Sequence, residues 1–314
     1  MWRTVLQRFL ILGLMLLVVS LLAFLVPYMS GGDPARTIMM SRVHEFDVDP
    51  AAVEALRVSL GLDQPLPVQY GSWLWHAVHG DLGYSFTSGR SVASEIGAAL
   101  GVSVTLALTA LSIAALVAVP LGTMAALRPG KTVDNATTLM IQTFVATPEY
   151  WAAPMAVLVF AVYLGWLPAA GWTSWSSLVL PAAVLSLRPI AYFTQVTRAS
   201  MMDVLMAPYI TAARSRGLST YQTVVRHGLR NGSMPVVTFF ALWLAGLLGG
   251  SVVIEVIFAI PGMGRLLYEA VINRDIPMLQ GGFVCLVALS VVINTVADVL
   301  YVALNPSVRF RHGH

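Results

Sequence analysis

Three short groupings of nucleophilic, basic or metal-ligating side chains are the first candidates for chemistry in this sequence. His76 and His79 are three residues apart, but no third ligand follows at a spacing known for metal sites. Gly130-Lys131-Thr132 ends like a phosphate-binding loop, yet the earlier glycine of that loop would fall on Ala125. The run Gly83-Tyr84-Ser85-Phe86 lacks the closing glycine of a nucleophile elbow. We therefore predict no catalytic residue, no metal site and no nucleotide binding by this chain.

Four further polar residues stand inside otherwise apolar runs, where a charge is costly unless it faces a cavity or a partner. They are Arg188, Glu255, Asn294 and Asp298. Arg188 is open to two interpretations, a cation that lines a pathway or a structural partner of an acid or carbonyl group on a neighbouring helix. Glu255, near the outer end of its run, could meet substrate or a loop. Asn294 and Asp298 share a helical face with Tyr301, which favours a polar stripe that holds helices together, with Asp298 pairing to an arginine.

The composition indicates a membrane protein. The 314 residues are 57% hydrophobic and only 11% charged, whereas soluble domains carry about 25% charged residues. The net charge of +3 is better explained by arginines gathered on one side of a lipid bilayer than by nucleic-acid binding. The single cysteine, Cys285, excludes an intramolecular disulfide and says nothing about the redox compartment.

Six apolar stretches are long enough to cross a bilayer, since about 20 residues suffice for a helix. The predicted spans cover residues 9–27, 100–127, 136–165, 178–202, 236–258 and 279–304. The first is longer than the apolar core of a secretory signal and lacks a small-x-small cleavage site, so we predict a retained helix. Pro148 and Pro154 predict a kink in the third span. Gly246 and Gly250 in the fifth permit close approach of another backbone, for ordinary packing or beside a pathway.

The distribution of basic residues between these stretches predicts that both termini lie inside, because short inside loops collect arginine and lysine. The fold class is therefore an all-α integral membrane protein. Its predicted divisions are an N-terminal transmembrane helix at 1–29, an extracytoplasmic segment at 30–98, a five-helix core at 99–304 that includes a cytoplasmic loop at 203–235, and a cytoplasmic tail at 305–314. Within the extracytoplasmic segment, residues 50–60 are predicted to form a short amphipathic helix.

The polar segment at residues 207–235 predicts a helix, a sharp turn and a second helix. Pro208 suits a first helical position, and Gly217 can adopt the left-handed conformation that ends a helix. Ser219 and Gln222 have the spacing of a capping box. One face of the first helix carries Tyr209, Ala212, Ala213 and Arg216. Such a short helix is suited to dock into a groove of another protein, although the spacing alone also fits a solvated loop between two membrane helices.

The 207–235 segment carries a set of residues found in a known transporter loop. They are Tyr209-Ile210, Ala212-Ala213-Arg214-Ser215-Arg216-Gly217-Leu218, Arg226-His227-Gly228-Leu229-Arg230-Asn231 and Pro235. Through them the segment resembles the EAA loop of ABC-importer permeases, and more narrowly the oligopeptide/dipeptide/nickel permease family in its first-type subunit. Matches at 60–70, 164–169, 253–258 and 261–264 extend the resemblance over about residues 1–311. The broad motif has a glutamate where this chain has Thr211, so coupling through a carboxylate at that position is not expected.

The resemblance implies a type I ABC importer permease fold in the bacterial inner membrane, with six transmembrane helices that form half of a translocation pathway. Its implied partners are a second homologous permease subunit in a heterodimer, two ABC ATPase subunits and an extracytoplasmic substrate-binding protein. ATP and Mg would be bound by the ATPases, and no cofactor is expected in this chain. The implied substrates are di- or oligopeptides, and the family also carries nickel complexes and haem-like compounds.

Coupling to the ATPases is implied for one set of residues in the first helix and its turn. These are Tyr209, Ala212, Ala213, Arg214, Arg216, Gly217 and Leu218, of which Ala212, Ala213 and Gly217 are expected to make the tightest contacts. A rival interpretation is a secondary transporter that works alone on an ion gradient through Glu149, Arg188 and Asp298. It is less favoured because the sequence shows no paired broken spans in two repeat halves.

Overall fold

The computed structural model describes residues 2–29, 33, 35, 36, 39, 40 and 48–304, and in them the protein is built from helices. In chain order these are α1 (Trp2–Met29), α2 (Pro50–Ser59), α3 (Leu66–Val78), α4 (Val92–Leu127), α5 (Thr132–Ala146), α6 (Glu149–Ala156), α7 (Ser176–Leu205), α8 (Pro208–Ser215), α9 (Thr220–Thr223), α10 (Leu229–Gly232), α11 (Met234–Gly250), α12 (Val252–Ile257), α13 (Met263–Ile272) and α14 (Ile276–Leu304). Two π-helical segments, Val157–Tyr163 and Val224–Gly228, follow α6 and α9.

Helices long and apolar enough to cross a membrane are present, as the composition predicts. Within the described residues they are α4, α7 and the part of α14 at Ile276–Ala297. A fourth span is possible if α5 and the stretch Glu149–Tyr163 are taken together, although the two are bent by 100° at the break between them. The apolar stretches Leu10–Leu25 and Met234–Gly250 are shorter.

The break in the predicted third span falls at Thr147 and Pro148. Thr147 has extended backbone angles, with φ −80° and ψ 116°, because the ring of a following proline disfavours the helical conformation. A new helix then begins at Glu149. The kink predicted from the prolines of this stretch is confirmed, and it is a complete interruption of the helix.

The predicted fifth span is wrong as a single helix through residue 258. Helix α11 ends at Gly250, and α12 begins at Val252 after Ser251. Each glycine in a helix interior costs about 1 kcal/mol relative to alanine, so the pair Gly249 and Gly250 weakens the helix there. The Ser251 hydroxyl donates a 2.7 Å hydrogen bond to the Glu255 carboxylate, which supports the start of α12.

The chain divides into two compact units. The first contains Met1–Ser103 and Pro261–Val292, and its core includes Val92 of α4, Met263 and Leu267 of α13, and Met278 of α14. The predicted amphipathic helix at residues 50–60 is confirmed as α2, which begins at Asp49 with a side-chain cap on the Ala51 amide.

Asp275 ties two distant stretches of the first unit together. Its side chain is only 3% exposed and accepts hydrogen bonds from the hydroxyl of Ser85 and from the amides of Phe86 (3.2 Å) and Thr87 (3.3 Å). It also accepts a 3.4 Å hydrogen bond from the amide of Met278, at the start of α14. One carboxylate therefore fixes the loop before α4 to the first turn of α14.

The second unit, Val104–Ile260 with Ile293–His314, is organised around α7. This helix packs against α5, α6, α11 and α12. Gly122 of α4 approaches it closely, since an added Cβ would lie 2.7 Å from both the Thr194 carbonyl oxygen and the Thr197 Cβ. Backbone therefore meets backbone at Gly122, and α7 is held firmly just before the 207–235 segment begins.

Candidate functional site

The first helix of the 207–235 segment starts and stops where its sequence predicts. Ala207 is extended (φ −67°, ψ 143°), and Pro208 occupies the first helical position. At the other end Gly217 adopts a left-handed conformation with φ +86°. The Gly217 amide donates to the Arg214 carbonyl (2.9 Å) and the Leu218 amide to the Ala213 carbonyl (3.4 Å). This pair of bonds is a Schellman motif, and it ends α8 after two turns.

The two sides of α8 are unlike. Ile210 and Ala213, three residues apart, are 0% and 1% exposed within the chain. Tyr209 is 42% exposed, and Ala212 and Arg216 are also exposed. The predicted face therefore divides, because Ala213 is buried against its own chain. That Ala213 makes one of the tightest contacts with a partner stays a prediction. Ile210 and Ala213 together pack α8 against the rest of the chain. The i, i+3 spacing of the two residues could have indicated this role for Ile210.

The second half of the segment holds α8 in place. Ser219 and Gln222 form the predicted capping box, in which the Gln222 amide donates to the Ser219 hydroxyl and the Ser219 amide to the Gln222 side-chain oxygen. The Asn231 amide side chain donates a 3.1 Å hydrogen bond to the Tyr209 hydroxyl. This bond joins α8 to α10 and thereby fixes the position of the exposed side of α8.

Met201 of α7 anchors this segment from beneath. Its side chain is completely buried and lies against Gly228 and Gly232, where an added Cβ would contact the methionine. Val224 and Ala126 pack in the same cluster. These two glycines let the π-helical turn and α10 approach α7 closely.

An ion pair lies beside this anchor. The Arg198 guanidinium donates from Nε to Asp134 Oδ1 (2.5 Å) and from Nη2 to Asp134 Oδ2 (2.8 Å). The same carboxylate accepts the Gly130 amide at 2.8 Å. Asp134 is 4% exposed, so α5 and the loop before it are locked to α7. No local sequence pattern indicates this role for Asp134, because its partner is distant in the chain.

The exposed surface of the segment is basic. Arg214, Arg216 and Arg226 are exposed, and Asp203 is an exposed acid at the end of α7. The side chain of Arg230 lies outside the described residues. Gly217 and Ala212 add no bulk to this surface. Its shape and charge suit the docking of a complementary, acidic surface.

Arg188 lies opposite Glu149, with Nε and Oε1 3.9 Å apart. Both side chains line a groove of about 400 Å³ in the second unit, with Trp243, Gly246 and Gly250 of α11. Arg188 lies beside an acid, as expected of a structural ion pair, and it also faces open space, as expected of a cation that lines a pathway. The structure therefore fits both interpretations of this residue.

The other intramembrane candidates differ from Arg188. Glu255 is 0% exposed and accepts the Ser251 hydroxyl, and the expectation that it could meet substrate or a loop stays a prediction. Asn294 of α14 is half-buried. The side chains of Asp298 and Tyr301 lie outside the described part of the structure, and the predicted pairing of Asp298 with an arginine stays a prediction.

Three residues considered for chemistry have structural contacts. Ser85 donates its hydroxyl to the buried Asp275. The Nδ1 atoms of His76 and His79 each lie 2.7 Å from a carbonyl oxygen one turn earlier in the chain, those of Ser72 and Trp75. Each of the three side chains therefore has a contact within its own chain.

Apolar helices of membrane-spanning length, with a glycine-ended helix exposed between two of them, indicate an integral membrane protein. The chain belongs to the family of binding-protein-dependent transport system inner membrane components. The model of that family matches residues 118–310, and the model of its N-terminal region matches residues 1–109. The family predicted from the 207–235 segment is confirmed.

Similar proteins agree with this assignment. A Brucella abortus protein, named as a permease of a peptide transport system, is 40% identical over 303 residues, covering 94% of this chain and 95% of the relative. The glutathione transport system permease protein GsiC of Escherichia coli K12 is 38% identical over 311 residues, covering 99% and 100%. A chain of the inward-facing MetNI methionine ABC transporter has a TM-score of 0.56 and 18% identity, covering 67% of this chain and 96% of that one. This last likeness concerns the fold.

Proposed function

We propose that this chain is the permease subunit of an ATP-driven importer of di- or oligopeptides and forms half of its translocation pathway. Family membership supports the transport role. The substrate class is supported by the Brucella and Escherichia coli relatives, whose names describe peptide and glutathione transport. Glutathione is itself a small peptide, so both names indicate the same chemical class.

The proposed topology has six crossings with both termini inside the cell, in the bacterial inner membrane. The crossings are α1, α4, α5 with the stretch Glu149–Tyr163, α7, α11 with α12, and α14. In this arrangement residues 30–98 form the extracytoplasmic segment, 99–304 the core with the cytoplasmic loop 203–235, and 305–314 the cytoplasmic tail. The arginines of the 207–235 segment favour this orientation, since inside loops collect positive charge.

The proposed assembly contains a second homologous permease, two ATPase subunits that bind ATP and Mg, and an external substrate-binding protein. The chain itself would hydrolyse nothing and would hold no cofactor. Residues 207–218 would dock on an ATPase subunit. Closure of the ATPases could then shift the permease between two states, provided that the contacts of α8 differ between them.

The observation that carries the coupling proposal is the geometry of α8. The helix is seated by Ile210 and Ala213 and fixed by the Tyr209–Asn231 hydrogen bond, while Ala212 and Arg216 face outward. A small, rigid and exposed helix can transmit force only if its outer face is held by a partner. The refined proposal is that Tyr209, Ala212, Arg214, Arg216 and Gly217 present this outer face, with Leu218 closing the turn.

Substitution of Ala212 tests the proposal. Ala212→Trp adds bulk to the outer face of α8 without filling the chain's interior, so it should abolish ATP-dependent peptide uptake in vesicles and reduce co-purification of the ATPase subunits. Ala136→Trp is the matched control, because Ala136 is also an exposed helical alanine in the second unit. Normal uptake by Ala212→Trp, or uptake by the chain in the absence of any ATPase, would refute the proposal.

A further inference from the structure

The groove of the second unit that contains Arg188 carries an unusual pair of charges. Within about 400 Å³ it combines Arg188 of α7, Glu149 at the first turn of α6 and the indole of Trp243 on α11. This volume falls in the range of about 300–1,000 Å³ typical of sites for small ligands. Trp243 is held in position by Tyr192, whose ring centroid is 5.3 Å from that of the indole.

Arg188 and Glu149 are too far apart for their ion pair to have only a structural role. The Nε–Oε1 separation of 3.9 Å exceeds the hydrogen-bonding range of about 2.7–3.2 Å, and the Arg188 side chain is 46% exposed. Arg198 and Asp134 in the same unit show what a closed pair looks like, with two contacts of 2.5 and 2.8 Å. Among the described residues no hydrogen bond is found to the head group of Arg188 or Glu149, so both retain their capacity to bind a ligand.

The floor of the groove leaves room beside these charges. Gly246 and Gly250, one turn apart on α11, line it, and a Cβ added to either would meet nothing within 4 Å. A ligand can therefore approach the α11 backbone directly. The site therefore has one cation, one anion and free space along an uncharged wall. Such a site is complementary to a zwitterion whose charged ends are constant and whose side chains vary.

We propose that Arg188 and Glu149 bind the two free ends of a short peptide during its passage, an inference that rests on the peptide transport proposed above. The Arg188 guanidinium takes the terminal carboxylate through paired N–H···O bonds, the geometry that arginine favours. The Glu149 carboxylate takes the terminal ammonium, beside the face of Trp243, which also attracts cations. Entry of the peptide replaces a 3.9 Å pair by two closer ones. The side chains of the peptide face Gly246 and Gly250, so their identity matters little.

Equilibrium binding to the purified transporter in lipid nanodiscs, without its external binding protein, tests the assignment. The probes are dialanine, dialanine amide and N-acetyl-dialanine. Removing the carboxylate from the ligand or the guanidinium from the protein, by Arg188→Gln, should each weaken binding by roughly ten- to a hundredfold, as for hydrogen bonds to charged groups. Removing both should weaken it no further, because each change breaks the same contact. Glu149→Gln should show the same relation to the N-acetyl probe.

The control and a conservative variant complete the design. Arg265→Gln removes a partly exposed arginine of the first unit that does not line the groove and should leave the binding of all three probes unchanged. If Arg188→Gln does not yield a monodisperse transporter, Arg188→Lys keeps the charge and should preserve a weaker preference for the free carboxylate, since lysine offers no fork of donors.

The outcomes separate this inference from the function on which it rests. Losses that add, or a wild-type protein that binds the three probes equally, would overturn the assignment of Arg188 and Glu149. If ATP-dependent uptake of dialanine by the wild-type transporter persists in that case, the peptide transport proposal stands. A wild-type transporter that neither binds nor imports dialanine would overturn both.

Discussion

Asp134 of α5 and Arg198 of α7 meet in a two-point ion pair, with N–O distances of 2.5 and 2.8 Å. The pair lies near the end of α7, the helix that leads directly into the 207–235 segment. It joins the start of one helix to the last turns of another, so α5 is tied to the helix that leads into α8. Three of the four predictions below concern this block of structure.

Asp134→Asn should weaken the block. The amide keeps the size of the carboxylate but loses its charge and one acceptor oxygen, which leaves the Arg198 guanidinium and the Gly130 amide with poorer partners. We expect a lower midpoint of thermal unfolding and a several-fold loss of uptake. Glu269→Gln is the control, because Glu269 forms an exposed i, i+4 pair with Arg265 and such pairs contribute little. Partial recovery in the exchanged variant Asp134→Arg/Arg198→Asp would identify the charge contact as the cause, whereas wild-type stability of Asp134→Asn would contradict the prediction.

Gly122→Ala should destabilise the protein even though alanine is the better helix former. The new methyl group would lie 2.7 Å from the Thr194 carbonyl oxygen and 3.0 Å from the Arg198 amide nitrogen, and overpacking of this kind costs about 1–3 kcal/mol. Gly97→Ala on the same helix is the matched control. It meets nothing within 4 Å and should stabilise the helix by about 1 kcal/mol. Thermal unfolding of the two variants should therefore shift in opposite directions, and a shift in the same direction would show that α4 and α7 are not in backbone contact.

Gly217 should tolerate asparagine better than valine. Its φ of +86° is strained for residues with a Cβ, by roughly 1–2 kcal/mol, but asparagine adopts this region far more readily than a β-branched residue. The two side chains are similar in volume, and a Cβ at this position meets nothing within 4 Å in the chain. We expect Gly217→Asn to retain most uptake and Gly217→Val to lose it, with faster proteolysis of the segment. Equal losses in both variants would mean that bulk at the docking surface, not backbone conformation, determines the effect.

Asp275→Ala should loosen the loop that precedes α4. The substitution removes an acceptor from the Ser85 hydroxyl and from the amides of Phe86 and Thr87. Ser85 is buried, and a buried donor left without a partner costs about 1–3 kcal/mol. Limited proteolysis should cleave residues 85–88 faster, and thermal unfolding should begin earlier. Asp81→Ala is the control, because that carboxylate makes one exposed bond to the Gly83 amide and its loss should change stability by no more than about 0.5 kcal/mol. Equal protease resistance in both variants would contradict the proposed tie.

The local signals in the sequence were sufficient to predict the shape of the 207–235 segment. The ring of Pro208, the freedom of Gly217 at positive φ and the capping pair Ser219 and Gln222 all act within a few residues, so their effects do not depend on the rest of the fold. The same holds for Thr147, whose extended conformation is imposed by the next residue. These features could be predicted because each is decided by covalent geometry or by one short hydrogen bond.

Burial and distant pairing could not be predicted in this way. The sequence placed Ala212 and Ala213 on one face, but the chain buries Ala213 with Ile210 and leaves Ala212 outside, a choice made by tertiary packing. The pairing of Asp134 with Arg198 joins residues 64 positions apart, and no local pattern marks it. The position of Glu255 near the outer end of an apolar run likewise does not reveal that the Ser251 hydroxyl donates to its carboxylate, a contact that makes the burial of Glu255 tolerable.

The 100° bend between α5 and the stretch Glu149–Tyr163 limits where fatty acyl chains can touch this protein. The last carbonyls of one helix and the first amides of the next cannot bond within their own helices, and hydrocarbon offers them nothing in exchange. We expect that elbow to face water, another part of this chain or a neighbouring polypeptide, and not lipid. The lipid-facing surface of the chain should therefore be interrupted at this point.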